Sequence, residues 1–160
     1  MAESLVFDKS ATKESRYEQI LPQIEALIEF ESNRIANLAN VAAALKEAFD
    51  FLWIGFYIWE VDELVLGPFQ GPVACTRIKP GKGVCGISFE QAQTIVVPNV
   101  DEFPDHIACS SFSKSEIVVS IIKNGQVVAV MDADSEKLND FEQTDQVYLE
   151  KLAHILAAKW

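Results

Sequence analysis

The feature that most restricts the fold is a change of period along the chain. From Glu14 to Phe30 apolar side chains recur at helical spacing, at Tyr17, Ile20, Leu21, Ile24, Leu27 and Ile28. Pro22 falls inside that pattern and predicts a kink or a restarted helix. "NRIANLANVAAALKEAF", 33 to 49, keeps the helical period and is rich in Ala and Leu, two strong helix formers. Then the period breaks. "FLWIGFYIWEV", 51 to 61, is aromatic and β-branched and reads as a strand.

Strand-like segments follow one another from there. "ELVLGPF" is the neighbour of the first strand, with the turn near Val61–Asp62, and "VACTRI", 73 to 78, is a short strand. "GVCGISFEQAQ" interrupts them as a short helix, and "TIVVPNV" is a strand closed by Pro98. "EIVVSII" and "QVVAVMDAD" are two strands joined around "KNG". "FEQTDQVYLEKLAHILAAK", 141 to 159, returns to the helical period, with Asp140 as its N-cap. Helices at both ends of a largely antiparallel sheet make an α+β layered domain. A chain of 160 residues suits one such domain, 1–160, with one substantial core. The loop 99–114 is longer than a compact domain keeps without purpose, which makes it a lid or site candidate.

Charge narrows the partners. Asp and Glu number 24 against 13 Lys and Arg, for a net charge of −11. The basic residues form no stripe, so neither nucleic acid nor an anionic membrane surface is an expected partner. No apolar run has the length of a bilayer span, and "MAESLVFDKSATKESRYEQ" lacks the pattern of a secretory signal. The expected compartment is the cytoplasm, where the three cysteines are mostly reduced and a disulfide is more often transient and catalytic than structural.

The cysteines are Cys75, Cys85 and Cys109. They lack C-x-x-C or zinc-ribbon spacing, and His106 and His154 complete no familiar ligand set, so no metal is expected. "GKGVCG", 81 to 86, matches G-x-G-x-x-G, but the long helix, returning parallel strand and distant acidic residue of a dinucleotide site do not follow. It reads as a tight turn in which Gly81 and Gly83 supply unusual backbone angles. Cys85 then falls in the first helical turn, where exposed N–H groups and the helix dipole favour a thiolate. On a short strand, Cys75 alone reads as a buried filler. Cys109 does not: "DEFPDHIACSSFSKSEIVVS" sets it in a polar loop, where chemistry is commonly carried.

Glu116 opens one strand, and Asp132 and Asp134 close the next, two residues apart and therefore on one face. Solvated strand ends would carry such charges too. The hairpin register decides whether the three carboxylates meet. A two-residue Asn124–Gly125 turn sets Glu116 opposite Ala133, on the other face from both aspartates. A three-residue Lys123–Asn124–Gly125 loop sets Glu116 opposite Asp132, and a bulge would also bring all three together. The residues leave these registers open.

"IANLANVAAAL", "WIGFYIWE", "GPFQGPVACTRIKPGKGVCG", "FPDHIACSSFSKSEIVV" and "VMDADSE", in this order and spacing, resemble the free methionine-(R)-sulfoxide reductases. These are GAF-domain enzymes that act on the free amino acid. The resemblance implies a GAF-like α+β fold, with terminal helices on one side of the sheet and a loop-formed pocket on the other. It implies that Cys109 attacks, that Cys75 forms the disulfide with it, and that Cys85 is an alternative resolving or relay thiol. Glu116, Asp132 and Asp134 match the ligand-binding carboxylates, Glu116 and Asp134 with a catalytic role as well, and Trp53 and Tyr57 match aromatics lining the pocket. Free methionine sulfoxide is the implied substrate and thioredoxin the implied reductant. No cofactor is implied, and a homodimer stays open.

The chemistry fits these residue types. A sulfoxide sulfur is electrophilic when its oxygen is protonated, so a thiolate must attack while an acid supplies a proton. Crowded carboxylates raise one another's pKa, which keeps one protonated near neutral pH. The remaining charge holds an ammonium group. The same carboxylates disfavour a thiolate nearby, so the expectation is that the Cys109 thiolate forms only once substrate has neutralised the site. Two other readings share the sequence, a GAF small-molecule sensor without chemistry and a cysteine redox switch. With no output segment expected in 160 residues, a pure sensor is less economical. Because attack and disulfide formation need Cys109 in two places, residues 99 to 114 are expected to move during the cycle.

Overall fold

The computed structural model describes residues 4–107 and 110–160. Its elements run α1 (Lys13–Glu29), α2 (Arg34–Phe49), β1 (Trp53–Glu60), β2 (Glu63–Gln70), β3 (Arg77–Ile78), α3 (Gly83–Gln91), β4 (Ile95–Val97), β5 (Ser115–Lys123), β6 (Gln126–Ser135) and α4 (Gln143–Ala158), with a 3-10 turn at Val100–Glu102. The strands form one six-stranded sheet in the order β3-β2-β1-β6-β5-β4, and every neighbouring pair is antiparallel.

Strand alternation sorts the side chains into two layers. Ile54, Phe56, Ile58, Ile117, Val119, Ile121, Ala129, Met131 and Ala133 point to one face and are buried beneath α1, α2 and α4. Trp53, Tyr57, Val118 and Val130 point to the other, where Val84 and Cys85 of α3 meet them with Val97 and Val100. Both faces are covered, which explains why β1 reads as an unbroken aromatic and apolar run. α1 is tied to α4 through Asp145, which is fully buried: it accepts from the Tyr17 hydroxyl at 2.8 Å and from Lys13 Nζ at 2.8 Å.

Three local expectations narrow or change. α1 runs through Pro22 without restarting. Pro22 is exposed, so water can serve the carbonyl that loses its partner there. The segment 73–78 contributes a strand only at Arg77–Ile78, and Cys75 lies in the loop before it. The N-cap of α4 is Glu142, whose N–H donates to Asp145 at 2.8 Å. Asp140 is occupied instead by Ser135, which donates to it at 2.5 Å.

The β5–β6 hairpin combines two of the devices that the sequence left open. Lys123 pairs with Gln126 across a two-residue turn, Asn124 (φ 52°) and Gly125 (φ 77°), both left-handed as a type I′ turn requires. Next to it the ladder slips by one residue, from Ile122 opposite Val127 to Ile121 opposite Ala129, leaving Val128 as a bulge. The slip places Glu116 opposite Asp134 and Val118 opposite Asp132. No helix among the described residues is long and apolar enough to cross a membrane.

Candidate active site

The ladder fixes which side chains share the site. One row across the sheet holds Val97 on β4, Glu116 on β5, Asp134 on β6 and Trp53 on β1. The next row holds Val118, Asp132 and Gly55. The three carboxylates therefore sit side by side on the α3 face, and Glu116 and Asp132 are only 6% exposed. They are not solvated strand-end charges.

Above them lies a small pocket opening to solvent. Trp53, Tyr57, Cys85, His106, Glu116, Asp132 and Asp134 are among the residues that line it. The Trp53 ring stacks between Tyr57 at 6.0 Å and Phe69 at 5.3 Å, and its Nε1 donates to the Pro72 carbonyl at 3.1 Å. The Tyr57 hydroxyl donates to the Cys75 carbonyl at 3.0 Å, which ties the loop carrying Cys75 to β1. Gly55 makes room for this aromatic wall. A Cβ there would lie 2.6 Å from the Trp53 ring and 2.4 Å from Phe69 Cβ.

Electrostatics follow from crowding without water. Burial first, then the charge of Asp134, pushes the Glu116 carboxyl well above the usual range. Burial, Asp134 and Glu116 do the same to Asp132. Asp134 is pushed up to about 6 by burial, held back by the Ser113 hydroxyl, which donates to it at 2.6 Å, and by His106. Tyr57 is raised by burial and by Asp132, so its hydroxyl stays neutral. Asp132 Oδ1 is buried and takes no N–H or hydroxyl donor among the described residues, and the Asp132 and Glu116 carboxyls hydrogen-bond to each other through a shared proton.

Cys85 departs from expectation. It does fall in the first turn of α3, behind Gly81 (φ 72°) and Gly83 (φ 59°). But that turn faces the sheet, and Cys85 is 3% exposed with its thiol 3.3 Å from Asp132 Oδ2. Burial and then the charge of Asp132 push the thiol up, outweighing the helix terminus. Cys85 is a protonated hydrogen-bond donor here. The glycine turn closes on itself through Gly81 N–H to the Gly86 carbonyl at 2.9 Å. Cys85, Glu116 and Asp132 present ligand atoms within 4.8 Å of one another, a spacing that a cation could use. Within this group the Cys85 thiol donates to Asp132.

Cys109, the expected nucleophile, lies outside the described residues, and so does its expected pairing with Cys75. Around it the loop is anchored. Val100 N–H donates to the Lys114 carbonyl at 3.0 Å, Ile107 sits where a Cβ on Gly83 would come within 3.1 Å, and His106 Nε2 is 3.3 Å from Glu116 Oε2. His106 and Ser113 join the site without having been singled out for it. The signal for His106 was its place in "FPDHIACSS", three residues before Cys109. For Gly55 it was a glycine inside an aromatic strand, a mark of close approach.

With this geometry in view, likeness to known proteins becomes informative. The GAF domain model matches residues 33–160. Over 157 residues the chain is 55% identical to GAF domain-containing protein A of Dictyostelium discoideum, covering 98% of this chain and 99% of that protein. It is 40% identical over 164 residues to free methionine-R-sulfoxide reductase of Saccharomyces cerevisiae, covering 97% of this chain and 91% of that one. Among solved structures it is similar to the free methionine-R-sulfoxide reductase of Neisseria meningitidis in complex with its substrate, at 52% identity and a TM-score of 0.95, covering 98% of this chain and 94% of the other. A curled antiparallel sheet with flanking helices, a pocket of crowded carboxylates under an aromatic wall, and likeness along nearly the whole chain agree: the chain belongs to the free methionine-R-sulfoxide reductases of the GAF-domain family.

Proposed function

We propose that this chain is an oxidoreductase that reduces free L-methionine-(R)-S-oxide to L-methionine, working as a single GAF domain over 1–160 in the cytoplasm. The observation that carries this reading is the row of buried carboxylates facing Trp53 and Tyr57 in one pocket. Their raised pKa values keep at least one carboxyl protonated near neutral pH, as the sulfoxide oxygen requires. The Asp132 and Glu116 carboxyls, paired through a shared proton, offer oxygens that can accept from the substrate ammonium. The aromatic wall suits the S-methyl end.

In the proposed cycle Cys109, as thiolate, attacks the sulfoxide sulfur, and Glu116 or Asp134 gives a proton to the oxygen. The oxygen passes to Cys109, methionine leaves, and a sulfenic acid remains. The Cys75 thiol condenses with it, releasing water and forming a disulfide. Thioredoxin re-reduces the pair by exchange. Cys75 is favoured over Cys85 as the resolving thiol because Cys85 is sealed against Asp132. A homodimer is compatible with this reading and contributes nothing to it.

The test is incubation of the reduced chain with free methionine-R-sulfoxide and dithiothreitol, with methionine measured by chromatography. Multiple turnovers are expected. A sensor or a substrate-free redox switch predicts no methionine.

A further inference from the structure

The proposed reaction leaves one need unmet by the residues assigned so far. Each turnover takes a proton from a carboxyl that is buried and surrounded by other acids. That carboxyl must recover a proton before the next substrate arrives. Glu116 is only 6% exposed, at the floor of a pocket that opens to solvent, so its exchange with water passes the groups that line the pocket. A lining group that relays a proton shortens that path.

His106 is placed to do so. Its Nε2 is 3.3 Å from Glu116 Oε2, on the pocket side. Its side chain is 14% exposed against 7% for that of Glu116, so it is the more open member of the pair. The segment is held there by two further contacts, the His106 N–H to the Phe103 carbonyl at 3.3 Å and Ile107 above Gly83. Around it stand Glu116 from β5, Asp132 and Asp134 from β6, Cys85 and Lys82 from α3 and its N-cap, and Tyr57 from β1. Asp105, Asp101, Glu102 and Lys114 belong to its own loop. Cys85 and Tyr57 are held neutral. Among these neighbours, His106 is the group whose chemistry suits repeated proton uptake and release.

Resting on the reading of Glu116 as an acid, we propose that His106 is the proton-delivery group that reloads Glu116 from solvent in each cycle. Cys109 thiolate, sulfoxide and protonated Glu116 give the sulfenic acid, methionine and Glu116 carboxylate. Imidazolium at His106 then returns its proton to Glu116, and neutral His106 takes another from water or buffer, which matches the proton that the reduced Cys109 thiol releases on becoming a thiolate, so the full cycle takes up no net proton. His106 acts through Glu116, so it is a positioning residue.

The experiment measures methionine formation by the full chain at saturating free methionine-R-sulfoxide and saturating dithiothreitol, in dilute buffer near pH 7, for wild type, His106→Ala and His106→Gln. Both variants should lose roughly tenfold or more in kcat, with KM within about threefold, since the lost step is proton transfer. Imidazole added to His106→Ala should restore most of the rate in a concentration-dependent way and leave wild type unchanged. The glutamine variant keeps a hydrogen-bond donor for Glu116 but cannot shuttle a proton. If it cycles at the wild-type rate, or if both variants fall only in KM with no response to imidazole, delivery through His106 is wrong while the reductase reading stands. Absence of methionine from wild type itself would remove the reductase reading and this inference together.

Discussion

Asp134→Asn should make the substrate-free protein more stable and the enzyme slower, and the stability gain should depend on pH in a defined sense. The Asp134 carboxyl is raised from 3.8 to about 6 by burial. In the unfolded chain it returns to the ordinary Asp range of about 3.9. Because the folded value is the higher one, the folded state binds the proton more tightly. That contribution is complete below about pH 4 and is lost as pH rises through about 6. A shift of about two units at 1.36 kcal/mol per unit amounts to roughly 3 kcal/mol, withdrawn between about pH 4 and pH 6. Asparagine is nearly isosteric, keeps an oxygen for the Ser113 hydroxyl, and carries no charge at any of these pH values. The difference in unfolding free energy between variant and wild type should therefore grow as pH rises from about 4 and level off a little above 6, by an amount on the order of 2 kcal/mol across this window. Urea denaturation of both proteins, reduced and without substrate, read by far-UV circular dichroism at four pH values, measures it. A difference that is flat with pH, or that favours wild type more as pH rises, would refute the argument that the cluster stores electrostatic cost. In the same protein kcat should fall roughly 10²-fold, the scale for a positioned acid.

Other expectations follow from the geometry. Cys109→Ser should abolish turnover with the fold intact, and Cys75→Ser should yield about one methionine per chain and then slow with thioredoxin; undiminished cycling of the second would move the resolving role to another thiol. Cys85→Ala should keep cycling through many turnovers, because the thiol it removes is buried against Asp132; a single burst followed by arrest would make Cys85 obligatory. Gly55→Ala should cost roughly 1–3 kcal/mol of stability by forcing Trp53 and Phe69 apart, and should raise KM, measurable by urea denaturation and steady-state kinetics; an unchanged KM would separate the aromatic wall from substrate binding.

Much of the fold could be read from spacing alone. The helical period located α1, α2 and α4, and the aromatic run located β1, because each signal repeats over eight or more residues. Signals confined to a few residues were harder. "VACTRI" has strand composition, yet only Arg77 and Ile78 find a partner on β2, so Cys75 rides in a loop. Asp140 and Glu142 can both cap a helix, and the choice depends on Asp145, which is pinned by Tyr17 and Lys13 from the far end of the chain. The spacing places Cys85 at a helix start, where it lies, but local spacing does not tell which way that turn faces, and burial against the sheet reverses the effect expected of the helix terminus. The carboxylates were recognisable as a set, but their meeting depends on a register that two separate residues, Gly125 and Val128, decide together. Cys109 as nucleophile rests on the resemblance and on its loop.

The bulge at Val128 gives the hairpin play at one end and none at the other. A three-residue loop over 124–126 would set Lys123 opposite Val127, and a regular ladder counted from there again brings Glu116 opposite Asp134. The two-residue turn followed by the slipped residue thus reaches the same alignment by another route. Substitutions that spoil the left-handed turn at Asn124 and Gly125 can be absorbed by moving the extra residue from the ladder into the loop. At the far end no such slack exists, because a one-residue slip there would turn Asp132 and Asp134 into the helix-covered core, where Ile117 and Ala133 now sit. The exposed tip is therefore free to drift over evolutionary time, and the acid end is locked by the cost of burying charge in hydrocarbon.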